Sequence, residues 1–226
     1  MTMKTSQPNL THHHMLMNAS SFSNRSSLRF GLSLLASALF LSGCLSRPAL
    51  THQTFALQTP SLTKSLDARG KGVLAIRAVQ VCPLFESRSF VYRVGTDQYE
   101  ADPYAEFLVP PSRALAIPIQ GCLRDSGVFQ AVAEPGSQLE ANTFLEVYVR
   151  ELYGDFRTSE QSAAVLSMTF VLFDVEPGRP QRLLLHKEYF QRVPLKEKTA
   201  AALAAGWNQA LAEIMKSAIS NVGDIH

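Results

Sequence analysis

An α/β domain, with mixed strands and two main helices, is predicted for the bulk of the 226-residue chain. Three stretches carry the prediction. Residues 73–81, Val-Leu-Ala-Ile-Arg-Ala-Val-Gln-Val, form a nearly continuous apolar run that Pro83 closes, the pattern of a strand covered on both faces. Residues 144–193 hold three long strand-like segments separated by turn residues. Residues 198–222 repeat apolar side chains at helical spacing.

The elements follow in order. Residues 55–57 read as a short first strand, and a Ser/Thr/Lys loop runs from there to Gly72. After the apolar strand, residues 89–94 form another, with Gly95-Thr96-Asp97 as its turn, and residues 98–107 return extended to Val109-Pro110-Pro111. Pro111 suits the first turn of a helix over 112–125, because its fixed φ is already helical. Leu115, Ile119, Cys122 and Leu123 give that helix its apolar face, Pro118 is expected to kink or delay the first turn, and Gly127 ends it. Residues 128–132 are a short strand before Pro135-Gly136.

Residues 144–152 alternate apolar and polar, residues 163–175 are apolar on both faces, and residues 183–193 alternate again. With Pro177-Gly178-Arg179-Pro180 turning between the last two, they predict an antiparallel meander. On the final helix, Leu203, Trp207, Leu211, Ile214, Ala218 and Val222 form a stripe opposite Asn208, Glu213 and Lys216. Trp207 is therefore expected in the core, and Asn221 and Gly223 are the stop signal.

Upstream, the organisation is different. Arg25 and Arg29 precede an apolar run from Phe30 to Leu41 that ends in Leu41-Ser42-Gly43-Cys44. Cations, a short apolar core and small residues in that order describe a secretory signal peptide. A run of about a dozen residues falls short of the ~20 that a membrane-spanning helix needs. Leu-Ser-Gly-Cys resembles the lipobox of bacterial lipoprotein precursors, in which the cysteine thiol receives a diacylglycerol and the chain is cut just before it. Cys44 is therefore the predicted lipidation site. Several acyl chains, at about 0.8 kcal/mol per buried methylene, make such an anchor nearly permanent. Residues 1–43 are assigned to the signal peptide and an N-terminal extension, 44–54 to a lipidated tether, and 55–226 to one periplasmic domain. The absence of an aspartate directly after Cys44 resembles outer-membrane sorting. His12-His13-His14 lies in the extension with no other ligand nearby, which makes a poor metal site.

The formal charge of +2 comes from 21 basic and 19 acidic side chains. Lys4, Arg25 and Arg29 precede Cys44 and no acid does, so 18 bases face 19 acids in what remains. A near-neutral surface argues against a nucleic-acid partner, which needs a clustered basic footprint. With Cys44 spent on lipid, Cys82 and Cys122 remain. In an oxidising compartment they make an even pair, and in apolar surroundings two buried thiols are as ordinary, so a bridge and free thiols both stay open.

No catalytic constellation emerges. The histidines after Cys44 are His52, His186 and His226, acids are scattered singly, and no Gly-x-Ser-x-Gly elbow, phosphate loop, dinucleotide fingerprint or His-Glu-x-x-His occurs. His186-Lys187-Glu188 reads as a solvated edge of the meander. No enzyme, metal or cofactor is expected. What stands out is Phe85-Glu86-Ser87-Arg88 with Phe90-Val91-Tyr92-Arg93, then Tyr99, Tyr104 and Phe107. Aromatics interleaved with arginines suit a groove for an extended partner or lipid headgroups, and Arg88, Tyr92 and Arg93 are the candidate partner-binding residues. The competing account puts half of these aromatics in the core and makes the arginines solvated strand ends.

These same residues carry a family resemblance. The lipobox, the apolar strand ending at Pro83, Arg88, Tyr92-Arg93, the Phe107…Pro110-Pro111 helix entry, Gly127-Val128-Phe129 and the acidic, aromatic strand from Leu145 to Phe156 resemble the ABC-type transport auxiliary lipoprotein family. Cys82 and Phe107 depart from its pattern, which favours an aliphatic residue and a Trp there. The resemblance implies a three-layer α/β sandwich, with a mixed sheet and helices on both faces. It also implies a non-enzymatic, outer-membrane-anchored lipoprotein that faces the periplasm. Its partners would be an MCE-domain (mammalian cell entry) protein and an ABC transporter that moves phospholipid or other hydrophobic molecules between the membranes. Contact with phospholipid itself and a homo-oligomeric state stay open. The runner-up is a structural or regulatory envelope lipoprotein with no transport role.

Overall fold

The computed structural model describes residues 51–61, 70, 72–158 and 160–225. Cys44 and its lipobox lie outside them, as do the signal peptide and most of the Ser/Thr/Lys loop. The elements are β1 (Gln53–Phe55), β2 (Val73–Val81), a 3-10 turn (Pro83–Phe85), β3 (Ser89–Arg93), β4 (Tyr99–Phe107), α1 (Pro111–Ser126), β5 (Ala131–Ala133), β6 (Thr143–Asp155), β7 (Ala163–Asp174), β8 (Arg182–Pro194) and α2 (Ala200–Gly223).

β6 is the strand on which the sheet divides. One side of it pairs antiparallel with β7 from Thr143 to Asp155. On the other side, β2 runs parallel to Thr143–Val149, and β3 runs parallel to Gly154 and Asp155. β2 and β3 thus follow each other along one edge of β6, and the 3-10 turn bridges them after the Cys82 amide donates to the Val149 carbonyl (2.9 Å). Beyond β2 lies β5, parallel; beyond β3 lie β4, antiparallel, and then β1, parallel to β4. β8 closes the other side, paired with β7 alone. The predicted antiparallel meander is therefore β6-β7-β8, within a mixed sheet.

Element ends shift where only turns defined them. β1 starts two residues earlier than predicted, and β5 is Ala131–Ala133, since the αL cap at Gly127 (φ 72°) and a turn occupy the residues before it. Pro118 sits inside α1, which runs unbroken from Pro111. At the start of α2, the Thr199 hydroxyl accepts from the Ala202 amide (3.1 Å), so the cap falls one residue after the predicted helix start.

The α/β class, with a mixed sheet and two helices in a sandwich, is as predicted. α1 and α2 touch each other and share one core with the strands. The segment after β1 runs against both: the Gln58 amide donates to the Asn208 side chain of α2, and Thr59 lies against Gly121 of α1. Among the described residues, both helices therefore cover one face of the sheet and leave the other free of helix. Alternating positions of β6 put Leu145, Val147 and Val149 toward the helices and Glu146, Tyr148 and Glu151 away from them, so the other face carries charged and aromatic side chains together.

Packing under α2 is close. A Cβ added at Gly206 would meet the Ala164 Cβ at 2.7 Å and Leu195 at 2.8 Å, so only glycine lets the helix settle this near β7. Trp207 is fully buried, with ring centroids 4.8 Å from Phe90 and 5.3 Å from Phe107. The departure from tryptophan at Phe107 is therefore accommodated inside an aromatic cluster.

Candidate docking face

On the helix-free face, charged and aromatic side chains meet. The face follows the register. From one end to the other, Arg93 neighbours Asp155, Tyr153 neighbours Val165 and Arg192, Glu151 neighbours Ser167 and Phe190, and Phe144 neighbours Phe173 and Leu183. A β-bulge at Arg150 turns its side chain toward this face as well, where its Nε donates to the Thr169 hydroxyl (3.2 Å).

Its charges are largely spent on one another. Asp155, 2% exposed, accepts from Arg157 through both oxygens (2.9 and 2.8 Å) and from Arg192 (2.5 Å). The Arg157 hydrogen bonds, joined by those of Arg192, hold its carboxyl well below the usual carboxylate range despite burial. Arg77 lies over the rings of Phe144 (4.5 Å) and Phe173 (4.6 Å) and pairs with Glu146 (3.6 Å). The Ser167 hydroxyl donates to Glu188 (3.1 Å). Among the described residues no group of three or more His, Cys, Asp or Glu side chains is arranged to hold a metal ion.

Arg88, Tyr92 and Arg93 do not form one surface. The Arg88 Nε donates to the Phe107 carbonyl (2.9 Å) and its Nη2 to Glu106 (2.5 Å), fastening the start of β3 to the end of β4. Tyr92 points the other way, toward α2. Its ring stacks on Phe156 (4.8 Å), it flanks Leu203 at Gly154, and its hydroxyl donates to the Asp102 carboxylate. Burial first, then that carboxylate, raises the phenol's pKa well above its usual value. Only Arg93 lies on the helix-free face, over Tyr99 (5.8 Å), with its guanidinium donating to the Thr96 carbonyl. Alternation along β3 separates neighbouring residues onto opposite faces, a consequence of strand geometry that a run of three promising residues conceals.

The aromatics divide likewise. Phe85, Phe90 and Phe107 are core, whereas Tyr99 and Tyr104 remain 38% and 43% exposed. Cys82 and Cys122 are both free, so the bridge left open by the sequence is not formed. Cys82 follows β2 beside Val149, while Cys122 is buried in α1 with its thiol directed at the Pro60 carbonyl (3.8 Å). Sequence reasoning missed the Asp155–Arg157–Arg192 cluster, because Arg192 lies 37 residues from Asp155 and only the β6-β7-β8 register brings them together.

The chain matches the family described as the ABC-type transport auxiliary lipoprotein component over residues 55–218. It belongs to that family. Among solved structures, protein XCC0632 from Xanthomonas campestris superposes with a TM-score of 0.64 at 17% identity, covering 74% of this chain and 92% of that one. An uncharacterized protein gives a TM-score of 0.53 at 19% identity, covering 74% and 99%. At these identities the likeness is one of fold. No curated protein matches the sequence.

Proposed function

We propose that this auxiliary lipoprotein is the outer-membrane-anchored, non-enzymatic subunit of an MCE-type ABC transporter. In that role it docks the periplasmic MCE assembly to the outer membrane, or receives the phospholipid or other hydrophobic cargo that the assembly carries. Family membership over residues 55–218, directly downstream of a Leu-Ser-Gly-Cys lipobox, is the observation that carries the reading. The helix-free face supports docking as the mode of action. Its charged side chains are held in place, Asp155 by Arg157 and Arg192, Glu188 by Ser167 and Arg150 by Thr169, so it offers a fixed, patterned surface, and β8 beside it is an edge strand among the described residues. Arg93 borders this surface; Arg88 and Tyr92 act on it through the fold.

Affinity capture from detergent-solubilised envelopes, with a tag at the C-terminus, tests the reading. An MCE protein, a permease and an ATPase should be retained together. Capture of envelope-synthesis proteins without any transporter subunit would favour a structural or regulatory lipoprotein instead. Cys44→Ala should abolish acyl labelling and release the chain from the membrane fraction; a variant that still fractionates with the outer membrane at normal size would refute the anchor.

A further inference from the structure

We infer that the end of the sheet holding Tyr99 and Tyr104 rests on the bilayer surface, and that these two tyrosines are its interfacial contacts. The inference rests on Cys44 being the lipid anchor. β1 pairs in parallel with β4, Gln53 beside Ala105 and Phe55 beside Phe107. Continued one residue upstream, that register puts His52 beside Tyr104, so the upstream chain heads toward the end marked by the β3–β4 turn and the last residues of β6. Eight residues separate Cys44 from Gln53. Cys44 therefore lies no farther than about 32 Å from Gln53, nine residue steps at full extension.

Leu183 lies at the opposite end of the same face, beside Phe173. Counting strands and registers, it is on the order of 30 Å from Tyr104. Contact near Tyr104 therefore needs little of the tether's length, whereas contact through Leu183 needs it almost fully extended. The favoured end has the side chains for it. Tyr99 and Tyr104 are half-exposed, and Leu84, 67% exposed, extends from the turn whose Phe85 packs on Tyr99 at 6.0 Å. Tyrosine suits the headgroup level, with an apolar ring and a polar tip. Charge plays little part: exposed Lys196 and Lys198 at this end are balanced in sign by exposed Asp97, Glu100 and Glu197. The acyl chains supply the affinity and the tyrosines set the orientation.

The experiment uses full-length acylated protein, purified from envelopes and reconstituted into phosphatidylethanolamine/phosphatidylglycerol vesicles whose acyl chains are brominated near the headgroup. Tyr99→Trp, Tyr104→Trp and Leu183→Trp are compared with wild type, whose single Trp207 is buried and gives a constant background. Quenching of the Tyr99→Trp and Tyr104→Trp variants at least twofold above that background, with Leu183→Trp at background, is the expected result. Co-flotation with equal or stronger quenching of Leu183→Trp, or with no quenching of either tyrosine variant above background, overturns the orientation alone. Failure of wild type to co-float overturns the anchor reading, and the orientation falls with it.

Discussion

The Trp207 indole nitrogen donates to the Val165 carbonyl at 3.1 Å, fastening the buried stripe of α2 to the central strand β7. Replacing Trp207 by Phe keeps most of the ring packing and removes that donor, leaving a buried acceptor short of a partner. The expected loss is about 1–3 kcal/mol. Trp207→Ala also empties the cluster with Phe90 and Phe107 and should cost about 3–5 kcal/mol. Urea unfolding of both variants decides; a Trp207→Phe midpoint equal to wild type would show that the hydrogen bond contributes nothing.

Asp155 supplies a pH-dependent contribution. Its carboxyl titrates lower in the folded chain than in the unfolded one, so the stabilisation is present above about pH 4, the ordinary aspartate value, and declines as the pH falls below it. Asp155→Asn should lower stability near neutrality by about 1.5–3 kcal/mol, the range for hydrogen bonds to charged groups. The gap to wild type should narrow on going from pH 7 to pH 3. Equal gaps at both values would mean that shape, and not charge, explains the loss.

The two thiols should differ in reactivity. Cys122 is buried, and burial together with the Asp125 carboxylate pushes its pKa up to about 11, so almost no thiolate is present at pH 7.5. Cys82 is only half-buried. Alkylation of the native, unreduced Cys44→Ala chain should modify Cys82 alone, and denaturation should release one further thiol. Mass spectrometry that finds no thiol even after unfolding would establish a Cys82–Cys122 bridge.

Arg88 makes two contacts of unequal worth. Its bond to the Phe107 carbonyl is partly sheltered, whereas the pair with Glu106 is exposed to water. Arg88→Ala should therefore cost about 1–2 kcal/mol, and Glu106→Ala under about 1 kcal/mol. Thermal melts of the two variants rank them, and a larger loss for Glu106→Ala would reverse the assignment.

How legible the protein was depends on the distance over which each feature is determined. The meander, the C-terminal helix and the burial of Trp207 follow from periodicities within 25 residues, and the sequence states them plainly. The placement of β2 and β3 on one edge of β6 does not, because partners more than 60 residues apart leave no local trace. Tyr92 and Arg93 looked like one site because adjacency in sequence is opposition in a strand.

The shared edge of β6 has a consequence for synthesis. Until residue 155 has been made, β2 with β5 and β3 with β4 and β1 have no common strand, and each is a fragment with an open backbone edge. Strands β1 to β5 therefore cannot reach their final arrangement before β6 is present, however well each piece pairs within itself. The sheet becomes continuous only through a strand that arrives after both of the halves it must unite.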